Sequence, residues 1–187
     1  FDLGRIEGYR NFCNKLWNAA RFLAPKMVAA SKLNRGPITM EELSEMPVFE
    51  RFIISRAHDC TMKSAECLEA YALGEAGKRA FEFFYNDFAD WYVEISKTRN
   101  GHESKVSNHA LAYCFDISLK LIHPFMPHVT EYLWQKLFAD SAATDALMIA
   151  DYPVLEGTTL AVDVAAVREF SSWKELVRAL RNIRAEY

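Results

Sequence analysis

Ala80-Phe-Glu-Phe-Phe-Tyr-Asn-Asp-Phe-Ala-Asp-Trp-Tyr-Val-Glu-Ile95 carries aromatic and aliphatic side chains almost all the way round a helix. A helix with no wholly polar face to show to water belongs at the centre of a bundle. Asn100-Gly101 ends it. Upstream, a helix begins after Pro47 and runs to about Leu73, and Gly74 and Gly77 flank a turn or a weak helix start. Downstream, a helix near 103–122 stops at Pro124 and Pro127, neither of which supplies a backbone donor. Thr130-Glu-Tyr-Leu-Trp-Gln-Lys-Leu137 forms the next helix. A last amphipathic helix covers about 165–187 through Val167, Phe170, Trp173, Leu176, Val177, Leu180 and Ile183. Residues 31–47 read as a loop. Residues 139–163 lack helical periodicity, with Leu147-Met-Ile149 as a short extended piece. The fold class is all-α, a helical bundle with short to medium loops.

Composition supports that reading. The 187 residues are 51% hydrophobic and 25% charged, the balance of an ordinary globular chain. Seven Gly and six Pro are too few for a turn-rich all-β chain. No apolar run approaches the roughly 20 residues of a membrane span, and no basic segment followed by an apolar core opens the chain. A start at Phe1, with no Met, points to an internal piece of something longer. Cys13, Cys60, Cys67 and Cys114 form no CxxC and no zinc spacing, which predicts reduced structural thiols in a cytoplasmic protein. His123 and His128 are five residues apart and face different sides of any helix, so no metal site is expected.

The net charge of −3 argues against a nucleic-acid partner when taken whole. Its distribution argues the other way. Residues 1–35 hold seven Lys/Arg against two acids, a local +5, while the other 152 residues hold 15 basic and 23 acidic side chains, a net −8. A basic segment on an acidic body seats a polyanion locally.

That basic segment is itself an amphipathic helix. Ile6, Tyr9, Phe12, Cys13, Leu16, Trp17, Ala20, Leu23 and Ala24 recur at spacings of three and four, with the apolar stripe centred near Tyr9, Leu16 and Ala20. A kink or an end is expected close to Pro25. The opposite face carries Asn11, Asn14, Lys15, Asn18 and Arg21, with Phe22 among them. An aromatic ring among amides and cations, away from the core stripe, has the composition of a base-stacking platform: the ring stacks, Asn reads base edges, and Lys/Arg hold phosphates. The same residues also suit a face that packs on another domain, with the Asn side chains capping or bridging helices. Composition weighs the two evenly. No catalytic constellation is present: there is no Gly-rich phosphate loop, HExxH or GxSxG. Asp87, Asp90 and Glu94 share a helix face and read as a solvated or interhelix-paired stripe.

Four segments carry a family resemblance. Arg5-Ile-Glu-Gly-Tyr-Arg-Asn-Phe-Cys-Asn-Lys-Leu-Trp-Asn-Ala-Ala-Arg-Phe22 resembles the opening helix of the anticodon-binding domain of valyl-tRNA synthetases. Asp90-Trp-Tyr-Val-Glu94, His123-Pro-Phe-Met-Pro-His-Val-Thr-Glu-Tyr-Leu-Trp134 and Val177-Arg-Ala-Leu-Arg-Asn-Ile-Arg-Ala-Glu186 resemble three further motifs of that domain, in order. Asn-Lys-Leu-Trp-Asn-Ala favours the valyl branch over the isoleucyl and leucyl enzymes, which share the fold.

The resemblance implies an anticodon-binding bundle over 1–140, then over 141–187 an irregular connection and the start of a C-terminal junction helix. It implies that Phe22 stacks an anticodon base with Lys15 and Arg21 near the loop; Arg10, Asn11, Asn14 and Asn18 join them from the helical face. Catalysis, with ATP and magnesium, would belong to the intact valine–tRNA ligase, and this piece would hold no cofactor and no metal. Its partners would be the anticodon stem-loop of valine tRNA and the catalytic domain of the same chain; it would be a monomer in the cytoplasm, away from membranes. The alternatives are a structural bundle bracing the catalytic domain without touching RNA, and the equivalent domain of an isoleucyl- or leucyl-type enzyme. Trp91 and Trp134 are expected in the core.

Overall fold

A computed structural model of the chain describes residues 3–28, 38–99, 101–138, 146–153 and 160–186. Among them are helices α1 (Leu3–Val28), α2 (Met40–Ser44), α3 (Val48–Glu69) and α4 (Leu73–Glu82), then a π-helix (Phe83–Tyr92) that runs on into α5 (Val93–Ser96). After these come α6 (Gly101–Ile122), α7 (Pro127–Phe138) and α8 (Val164–Glu186), and no strand is present among the described residues. Residues 31–37 of the expected loop at 31–47, Asn100, and residues 139–145 and 154–159 of the expected irregular connection lie outside them; the described part of that loop holds the short helix α2, started by Thr39 and Glu42. Leu147–Ile149 is a 3₁₀ turn rather than an extended piece. The Glu131 carboxylate accepts the backbone N–H groups of Leu147 and Met148 at 3.0 and 3.1 Å and so caps the start of that turn.

The aromatic stretch is helical throughout, but its middle is wound wider. The N–H of Val93 bonds the carbonyl of Phe88, five residues back. Buried positions then recur at 83–84, 87–89, 92–93 and 96. A polar strip remains at Glu82, Asn86, Asp90 and Glu94, four residues apart, so the segment is not enclosed all round. Phe84 meets Phe12 of α1 edge-on at 5.4 Å, and Phe88 stacks on Phe115 of α6 at 5.9 Å. The most deeply buried element is α6, in which every residue from Ala110 to Leu119 is enclosed. Small and tucked side chains permit this: Ala110 and Ala112 are short, and Ser118 Oγ bonds the Cys114 carbonyl at 2.7 Å.

Two sequence expectations change, while Pro25 lies inside α1, three residues before its last described residue, Val28. The missing N–H takes one bond, that to the Arg21 carbonyl, out of a long ladder. Trp134 is 2% exposed and donates its indole N–H to Asp116 at 2.8 Å. Trp91 is only half-buried: it lies edge-on to Phe170 at 5.9 Å and under the Arg181 guanidinium at 5.5 Å. The polar strip turns it toward α8, away from the interior. In α8 itself only the first turns enter the core. Phe170 is enclosed between Phe49 and Phe52, while Trp173, Leu176, Leu180 and Ile183 are more than half exposed.

Asp87, Asp90 and Glu94 pair as a stripe should, though with different neighbours. Asp87 is buried and binds Arg56 of α3 at 2.9 Å and Lys174 of α8; Asp90 binds Lys15 of α1; Glu94 binds Lys97 at 2.6 Å.

One histidine makes the bundle sensitive to pH. His58 is wholly buried, with Nδ1 2.6 Å from the Ala161 carbonyl and Nε2 2.7 Å from the Tyr113 hydroxyl. Nδ1–H donates to the carbonyl, leaving neutral Nε2 to accept the Tyr113 proton. Burial holds the His58 pKa below its ordinary value. The unfolded chain therefore binds more protons than the folded one once the pH falls below about 6.5, and stability declines in that direction. Thermal melts should show a falling midpoint between about pH 7 and pH 5, with a shallower slope in His58→Gln. Equal slopes would place the pH sensitivity elsewhere.

Candidate nucleic-acid interface

The register of α1 determines what it shows to solvent. Phe12, Leu16, Ala19, Ala20 and Leu23 are buried. At about 100° per residue their centre lies roughly 40° from the stripe expected from sequence, rotated toward Ala19. Ile6, Tyr9 and Trp17, expected in the core, are 46%, 57% and 46% exposed. The rotation also carries Phe22 and Lys15 to the edge of the buried face. Both are half-buried, and the Phe22 ring packs against the core rather than lying clear of it.

The remaining predicted residues form an exposed ridge. Arg10, Asn11, Asn14, Asn18 and Arg21 are all exposed. Arg10 pairs with Glu7 at 3.1 Å; no carboxylate pairs with Arg21 among the described residues. Beside the ridge, α1 and the 83–96 helix enclose a groove of about 250 Å³, in which Lys15, Asn18 and Phe22 face Asp90, Glu94 and Lys97. Lys15 is held there by Asp90 and lies 3.2 Å from the centre of the Tyr85 ring. Lys26 and Lys97 lie 4.3 and 5.7 Å from the centre of the Phe22 ring. Partial burial lowers the Lys26 pKa. The site is thus one aromatic ring flanked by ammonium groups and bordered by free amides, which suits a flat, electron-rich ring attached to a phosphate backbone.

The structure brings Lys15, Asn18 and Phe22 into one groove and leaves Arg10, Asn11, Asn14 and Arg21 on the adjoining ridge. Lys26 and Lys97 escaped the sequence reading. Lys97 joins the site only through the packing of two helices, which no spacing within one helix reveals. Lys26 was legible: it stands four residues after Phe22, but only in a helix that continues past Pro25.

A groove of about 720 Å³ opens at the N-terminal end of α1 among Tyr9, Phe81, Tyr85 and Phe125. A Cβ at Gly77 would come within 3.1 Å of the Phe125 ring, so a side chain there would have to push the ring back by a few tenths of an ångström. The groove is the larger but lacks the free amides of the ridge. Among the described residues no cluster of three or more His, Cys, Asp or Glu is placed to hold a metal ion, and no helix is long and apolar enough to cross a membrane.

Comparison with known proteins identifies the family of the fold. The family described as the anticodon-binding domain of tRNA ligase matches residues 50–187. Among curated relatives, the valine–tRNA ligase of Laribacter hongkongensis is 38% identical over 192 residues, covering 100% of this chain and 20% of that protein. The valine–tRNA ligase of Thermosynechococcus vestitus is 37% identical over 185 residues, covering 97% and 20%. That of Petrotoga mobilis is 34% identical over 188 residues, covering 99% and 20%. The chain thus spans about a fifth of the length of these relatives. With an all-helical bundle, a family match over residues 50–187 and relatives up to 38% identical along the whole chain, the chain belongs to the anticodon-binding domain family of tRNA ligases.

Proposed function

We propose that this chain is the anticodon-binding part of a valine–tRNA ligase and seats the anticodon loop of valine tRNA on α1. The observation that carries the reading is the exposed ridge of Asn11, Asn14, Asn18 and Arg21 beside the cation-flanked Phe22 ring. An anticodon loop is single-stranded, so its bases can splay, stack on a ring and be read at their edges. Phe22 takes one base, the amides of the ridge read base edges, and Lys15, Arg21 and Arg10 hold phosphates. The whole protein would join valine to its tRNA with ATP and magnesium, both held outside this chain. Binding energy gained at the anticodon would position the distant acceptor end for reaction. By itself the chain runs no ATP–pyrophosphate exchange. We assign 1–140 to the bundle and 141–187 to the connection and the junction helix, in a cytoplasmic monomer.

The half-burial of Phe22 favours a second reading, in which this face braces a neighbouring domain. A salt titration separates the two. Binding to valine tRNA should weaken log-linearly with salt through the phosphate contacts. An anticodon-swapped control should bind more weakly at every salt concentration, because base contacts carry the difference. Equal affinities for the two RNAs would favour bracing.

A further inference from the structure

The opposite flank of α1 carries an aromatic arrangement that the anticodon reading does not use. Trp17 and Tyr132 of α7 stack with ring centres 5.5 Å apart and planes 16° apart, yet they remain 46% and 49% exposed. Arg21 and Lys136 border them around a cavity of about 240 Å³ floored by Ala20 and Ala24. Lys136 Nζ lies 5.8 Å from the centre of the Tyr132 ring. No carboxylate pairs with Arg21 or Lys136 among the described residues. The nearby Glu131 is committed to the backbone of Leu147 and Met148 and to the Gln135 amide.

We propose that Trp17 and Tyr132, with Arg21 and Lys136, form a second base-stacking site that takes an unpaired base of the same tRNA loop; this rests on the reading of α1 as the anticodon ridge. Three observations support it. The rings are already stacked on each other, so a base adds to an organised surface and little side-chain freedom is lost on binding. Two cations without acidic partners border the rings, which complements a phosphate backbone and repels a basic partner. Position is the third: Trp17 and Phe22 lie about 140° apart around α1, with Arg21, Asn14 and Asn18 between them. A loop lying across the ridge can therefore drop one base into the Phe22 groove and another onto the Trp17–Tyr132 pair. Arg21 stands between the two sites and serves the backbone that joins them.

The test uses full-length protein with valine tRNA, intact and with single loop bases removed. Trp17→Ala and Tyr132→Ala should each weaken binding roughly 5- to 100-fold, the range for one lost stacked base, with the salt slope unchanged. The effect should vanish on the RNA that lacks the base in question, because the two losses then coincide. Trp17→Phe should restore most of the affinity. Lys136→Gln should weaken binding and lower the salt slope by about one. Both alanine variants binding within twofold of the parent, while Phe22→Ala binds more weakly, would remove this second site and leave the anticodon ridge standing. Unchanged binding with a lowered melting temperature would show that the pair packs against another part of the protein, which also overturns the proposal. Absence of tRNA binding by the unsubstituted protein would instead remove the reading on which it rests.

Discussion

Trp134→Ala should lower the melting temperature by about 6–20 °C, the largest effect expected of any single substitution in this bundle. The ring is enclosed between α6 and α7, and truncating a buried Trp costs about 3–5 kcal/mol through lost burial and the cavity left behind. Its indole N–H also satisfies Asp116, a residue only 4% exposed that is paired with Lys120 at 3.0 Å. Removing the donor takes one hydrogen bond from a buried carboxylate and adds to the loss. Trp91→Ala in the same assay should cost less, because that ring is half in solvent against α8. Equal losses would mean that Trp91 is as deeply enclosed as Trp134.

Asp87→Ala should be the second large effect. Its side chain is 9% exposed and joins three helical elements by binding Arg56 of α3 and Lys174 of α8. Removing one partner of a buried ion pair costs about 3–5 kcal/mol because the other charge is left uncompensated. The lower end applies here, since Arg56 keeps Asp59 at 3.3 Å. Lys174, by contrast, retains only aromatic faces, with ring centres at 5.2 to 5.6 Å, and a long contact to the Asn86 carbonyl. Lys174→Met should be milder, as it deletes the stranded charge and leaves Asp87 with Arg56. Hydrogen exchange should locate the damage: protection falls first in α8, whose hold on the bundle includes Phe170 and this ion pair. A uniform loss across all helices would argue that Asp87 does not anchor α8.

The order of these two variants reflects what the sequence could say. The helices were legible because their apolar spacings and proline stops agree with one another, as in Pro47 before α3 and the Pro124–Pro127 corner before α7. Helix α2 was missed within the expected loop at 31–47, although its capping box, in which Thr39 and Glu42 satisfy each other's backbone, was open to reading. The faces were less legible. A rotation of about 40° separates a core Trp17 from an exposed one, and Phe12, Leu16, Ala20 and Leu23 fit both registers of the apolar pattern. That rotation also moved Phe22 from the open ridge to its edge, so Phe22→Ala should cost some stability as well as any RNA contact. The widened winding at 83–92 was hidden as well, since local sequence does not distinguish it from an ordinary helix so rich in aromatics. Nor did the spacing in α8 distinguish Phe170, which enters the core, from Trp173, Leu176, Leu180 and Ile183, which do not.

The central claim is that the Phe22 face of α1 contributes to reading the anticodon. It is tested most directly by the ratio of affinities for valine tRNA and for the same tRNA with a swapped anticodon, measured on full-length protein with and without Phe22→Ala. The account predicts that the substitution weakens matched binding by about 1–3 kcal/mol and narrows the ratio, while the salt slope stays as it was. An unchanged ratio accompanied by a lowered melting temperature would contradict it, and would make Phe22 a packing residue of the bundle.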